Sequence, residues 1–68
     1  MNTNLLKSEL VKQGYTQTAA AQAIGISRSR FNAKLNNADG AEFSLGEVRT
    51  MKDLLGLSSE QIDHIFFS

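Results

Sequence analysis

Apolar residues recur along this chain at intervals of three and four, and glycines or small polar residues break the recurrence into short segments. Such spacings put side chains on one face of a helix, because successive residues turn by about 100°. A first helix is predicted from about Asn4, as N-cap, to Gln13, burying Leu6, Leu10 and the flanking Leu5 or Val11 before Gly14 supplies a left-handed stop. A second begins on Thr16 and runs through TQTAAAQAI to Gly25, its alanines leaving room for another helix to come close. The third, residues 27 to 36, begins on Ser27. Ile26 and Phe31 flank that start at the spacing of a hydrophobic staple, and Phe31 and Leu35 share a face. NNADGAE reads as a loop of turn-forming residues. Ser44 and Glu47 then form an S-x-x-E capping box with Phe43 and Val48 as its staple, opening a fourth helix that Gly56 ends. Ser58 with Gln61 repeats the box, Leu57 with Ile62 repeats the staple, and Ile62, Ile65 and Phe66 form the stripe of a fifth helix. Five short helices and no strand predict an all-α, compact five-helix domain.

Composition agrees, with no proline, few β-branched residues and much Ala, Leu, Lys, Gln and Glu. At 68 residues the chain is expected to be one domain near the size at which core burial alone stops sufficing. It has no cysteine, so neither a disulfide nor a thiolate metal site can help, and stability has to come from helix packing or self-association. No apolar run approaches the roughly 18 residues of a membrane span, and the N-terminus lacks the build of a signal peptide. A soluble, cytoplasmic protein with no membrane partner is expected.

Charge changes the picture more. The formal sum is zero, yet residues 1 to 38 carry Lys7, Lys12, Arg28, Arg30 and Lys34 against Glu9, which is +5 − 1 = +4. Residues 39 to 68 carry Arg49 and Lys52 against Asp39, Glu42, Glu47, Asp53, Glu60 and Asp63, which is +2 − 6 = −4. The basic half is densest in GISRSRFNAKLNN, positions 25 to 37, where three cations surround Phe31 and no acid occurs. On a helix wheel Phe31 and Leu35 mark the buried side. Ser29, Asn32, Ala33 and Asn36 fall opposite, with Arg28 at one margin and Arg30 and Lys34 at the other. A face of short polar side chains edged by cations suits a DNA major groove: small groups let the helix enter, Asn and Arg can pair base edges, and cations meet phosphates. The helix N-terminus adds partial positive charge. Cations outside a helix are most often only a solvated surface; here their position argues for more. A short helix ending at Gly25, a tight turn and a second helix with an apolar anchor at its fourth position make a helix-turn-helix arrangement.

The segments GYTQ at 14 to 17, AAAQAIGIS at 19 to 27 and RFNAKLNN at 30 to 37, followed by FSLGEV and LGLSSEQIDHIFF, resemble the phage repressor, Cro and Xre-type helix-turn-helix regulators. The likeness spans nearly the whole chain and points to a small phage-encoded member. It implies a lambda-repressor-like fold that binds a duplex DNA operator in a bacterial host cell, on the nucleoid when bound. It implies a phosphate contact for Gln17 and base-edge positions for Arg28, Ser29, Asn32 and Ala33. Ser27, Arg30, Lys34, Asn36 and Asn37 become candidates for backbone contacts. Two residues depart from the family pattern. Ala33 can offer only apolar contact, for instance to a thymine methyl, and Ala20 is smaller than the apolar residue usual there, leaving packing to Phe31 or Tyr15.

His64 is the only histidine, and with no cysteine a metal site lacks ligands. No serine, histidine and acid have a spacing that suggests catalysis, and the glycines form no phosphate cradle. The expectation is therefore no enzyme, no cofactor and no metal. Phe67 lies off the stripe of the last helix and Leu54 off that of the fourth, so they either finish the core or form a self-association surface. A homodimer would set two recognition helices one DNA turn apart. The expected function is a transcriptional repressor that occupies promoter DNA, a Cro-like protein or a truncated repressor, because so short a chain is expected to have no room for a ligand-sensing or self-cleaving domain. The rival is an antirepressor or modulator of the same fold that engages a phage repressor protein instead of DNA, favoured by zero net charge and by Ala33.

Overall fold

Every α-helix of the chain starts on a side-chain oxygen that accepts a backbone N–H from the first turn, so the caps explain where the elements begin. A computed structural model describes residues 1–67. Its elements are α1 (Thr3–Lys12), α2 (Gln17–Ile24), α3 (Arg28–Leu35), a single 3-10 turn (Ala38–Gly40), α4 (Leu45–Leu55) and α5 (Ser59–Phe66). No strand occurs among the described residues. Thr16, Ser27, Ser44 and Ser58 accept from the N–H groups of Ala19, Arg30, Glu47 and Gln61 at 3.0–3.1 Å. Both capping boxes close, with Glu47 Oε1 accepting the Ser44 N–H at 2.8 Å and Gln61 Oε1 the Ser58 N–H at 2.9 Å. The loop NNADGAE is tighter than its composition implies, because Asn37 (φ 51°) and Asp39 (φ 53°) take left-handed backbone around the 3-10 turn.

The first helix begins two residues earlier than predicted. Asn2, not Asn4, is the N-cap, its Oδ1 accepting the Leu5 N–H at 3.1 Å. The early start is fixed by tertiary bonds: the Asn2 N–H donates to the Ile65 carbonyl at 2.6 Å, and the Thr3 hydroxyl donates to the Leu35 carbonyl at 2.8 Å. These bonds tie α1 to α5 and to the end of α3. Of the four apolar residues offered for burial in α1, Leu6 and Leu10 are buried, whereas Leu5 and Val11 are exposed. Each exposed one is a single step of about 100° away from the buried pair.

Each helix contributes to one core: Leu6 and Leu10, Ala20 and Ala21, Phe31 and Leu35, Val48, Met51 and Leu55, then Leu57, Ile62 and Ile65. Phe31 and Leu35 are fully covered. Ala20 is itself fully buried, Phe31 is wholly buried in the same core, and Tyr15 packs partly buried against it. Phe31 meets Phe43 edge-on at 5.5 Å, and Phe43 meets Phe66 at 6.1 Å, an aromatic chain joining α3, the loop and α5. The radius of gyration is 10.7 Å, close to the ~11 Å expected of a well-packed domain of this length. Between α2 and α3 lie only Gly25, Ile26 and Ser27. Gly25 takes the left-handed conformation (φ 81°) that closes α2, and the Ile26 N–H bonds to the Ala21 carbonyl at 3.0 Å. The half-buried Ile26 then leads directly into the Ser27 cap. No helix among the described residues is long and apolar enough to cross a membrane.

Candidate nucleic-acid interface

With Phe31 and Leu35 locked inward, the outer face of α3 is set by helical geometry: Arg28, Ser29, Arg30, Asn32 and Asn36 are exposed. Ala33 is half-buried, so it presents less of its methyl to solvent than the wheel implied. Gln17, the first residue of α2, stands beside this face. It lines a surface cleft of about 260 Å³ together with Arg28, Ser29 and Asn32. The short link between α2 and α3 brings these four side chains together from two helix N-terminal regions, where backbone N–H groups and the helix dipoles favour an anion. Arg28 and Arg30 enter no ion pair among the described residues.

Lys34 behaves differently. The sequence places it with Arg30 at the cationic margin, but its Nζ is bound to both carboxylate oxygens of Glu47 at 2.7 and 2.8 Å, and both side chains keep only 14 % exposure. Glu47 sits in the first turn of α4, where the same Oε1 also accepts the Ser44 N–H. Partial burial pushes the Glu47 carboxyl pKa up. The Lys34 hydrogen bond and charge, with the Ser44 N–H and hydroxyl, outweigh that and hold it below its ordinary value. Lys34 is thus a strut between α3 and α4, and the free cationic rim of α3 consists of Arg28 and Arg30. The acid missing from positions 25 to 37 is supplied by another helix.

The remaining predicted residues divide. Ser27 uses its hydroxyl oxygen as the α3 cap. Asn36 closes α3, and its Nδ2 donates to the carbonyl and to the Oδ1 of Asn32 at 3.0 and 3.1 Å. Asn37 is exposed but lies elsewhere, bordering an apolar hollow of about 190 Å³ with Met1, Glu42, Phe43, Val48, Phe66 and Phe67. Phe67 is 63 % exposed, whereas Leu54 is half-buried. Leu45, the first residue of α4, is equally exposed and was not singled out by the sequence. His64 lies 3.7 Å from Glu60, one turn back on α5. Compared with protein-family models, curated proteins and solved structures, the chain matches none of them.

Proposed function

We propose that this protein is a duplex-DNA-binding transcriptional regulator of the phage repressor, Cro and Xre helix-turn-helix type, with α3 entering the major groove and α2 lying across it. The observation that carries this reading is the cleft shared by Gln17, Arg28, Ser29 and Asn32. It sets a polar side chain at the start of α2 beside three groups on α3 that can donate to phosphates or base edges. Arg28 and Ser29 read base edges with Asn32; Gln17 and Arg30 hold the backbone. The exposed Phe67 supports a homodimer formed on the side of α5.

A second reading, a modulator that engages a repressor protein, draws on one specific observation. With Lys34 neutralised by Glu47, the rim is less cationic than the sequence count implied. Salt separates the two. With Arg30 as the phosphate-facing cation of each of two subunits, affinity for duplex DNA from the region flanking the gene falls with a log–log slope of roughly −2. A mobility-shift series at rising salt measures it; no retarded species at low salt would favour the modulator.

A further inference from the structure

Asn36, the residue that closes α3, lies one turn beyond Asn32, and both are exposed. The Asn36 Nδ2 donates to the Asn32 backbone carbonyl at 3.0 Å and to the Asn32 Oδ1 at 3.1 Å. A carboxamide carries its oxygen and its NH₂ on opposite sides of the same carbon, so fixing one aims the other. With its oxygen held toward Asn36, at the C-terminal end of α3, Asn32 has its NH₂ left for the cleft it shares with Gln17, Arg28 and Ser29. Arg28 also has donors only. Among base edges in the major groove, guanine alone shows two acceptors, N7 and O6. Bidentate reading of adenine instead needs the Asn oxygen to accept from N6 while its NH₂ donates to N7.

We infer that Asn36 is a positioning residue that holds Asn32 as a hydrogen-bond donor, turning the readout of α3 toward guanine and away from adenine. The inference rests on the DNA-binding reading and adds to it a specificity device within the protein. It is tested by selection from random-sequence duplex DNA, comparing the wild-type chain with Asn36→Ala and Asn36→Asp. Helical circular dichroism of each variant confirms folding.

The wild type enriches guanine at the step read by Asn32, a step identified because Asn32→Asp, which has acceptors only, moves preference there toward the cytosine amino group. Asn36→Ala frees the amide to turn, and the guanine-to-adenine ratio at that step falls by about fivefold or more. Asn36→Asp cannot donate and draws the Asn32 NH₂ toward itself, reversing the preference to bases that offer a donor. A merely structural role for Asn36 would lower affinity for all duplexes and leave the ratio alone. An unchanged ratio in both variants overturns the inference while leaving DNA binding intact. If the wild type enriches no duplex, the DNA-binding reading itself fails, and the inference with it.

Discussion

Helices α3 and α5 are built by one set of rules and turn different faces outward. Each has eight residues, starts on a serine that accepts the N–H three positions on, and buries two apolar residues three or four apart. Outside, α3 shows Arg28, Ser29, Arg30 and Asn32, whereas α5 shows Glu60, Asp63 and His64, with Phe67 exposed just beyond. The shared rules make the fold; the outward residues divide the surface. They leave a face suited to a polyanion at α3 and an acidic, apolar-tipped one at α5. The division is not only a matter of sign. Lys34 belongs to α3 by sequence, yet the Glu47 carboxylate draws it into the framework, so charge on a helix need not be charge for a ligand.

The comparison can be broken at its core, at its cleft or at its strut. The largest effect is expected at Phe31, which is fully buried and meets Phe43 edge-on. Phe31→Ala should cost about 3–5 kcal/mol, most of the stability of so small a domain. Denaturant unfolding would show it, and a loss under about 1 kcal/mol would mean that the core is not closed around this ring. Next comes the cleft. Arg28→Ala should weaken binding to a preferred duplex by about 1–3 kcal/mol with unfolding unchanged, measured by fluorescence anisotropy alongside a melt.

Lys34→Ala sharpens the contrast from the other side. It should destabilise the fold by about 1–2 kcal/mol, below the range for fully buried pairs because each partner keeps some exposure. Affinity for DNA should fall far less than in Arg28→Ala. The reverse pattern, binding lost and stability kept, would return Lys34 to the DNA-facing rim. The smallest effect is in pH. Because the folded-state pKa of Glu47 lies below its unfolded value of about 4.5, its contribution is fully present above that pH and is lost as pH falls through the folded-state value. Melts across the acid range should show this limb in the wild type and a shallower one in Lys34→Ala.

Most of the fold was legible because helix starts follow local chemistry. A Ser or Thr oxygen followed three residues later by Glu or Gln satisfies donors within one turn, and no distant contact is needed to recognise it. The errors fall where two local solutions compete or where the partner is remote. Asn2 and Asn4 are both able caps, and the choice is made by bonds from Asn2 and Thr3 to residues at the far ends of α5 and α3. Leu5 and Val11 flank the buried pair of α1 symmetrically in pattern, and only packing tells that both stay out. Within the candidate site, Arg28, Ser29 and Asn32 could be placed by wheel geometry, and Gln17 only by the resemblance to helix-turn-helix regulators. The fate of Lys34 could not. Glu47 is thirteen residues away on another helix, and its spacing advertises only the cap it shares with Ser44.

The most direct measurement is a ¹H–¹⁵N spectrum recorded while duplex DNA from the gene's flanking region is titrated in. The largest amide shifts are expected at Gln17 and from Arg28 to Ala33, with α1 and the strut at Lys34 and Glu47 little changed. Shifts concentrated between Leu54 and Phe67, or none at any residue at low salt, would contradict a DNA-reading α3.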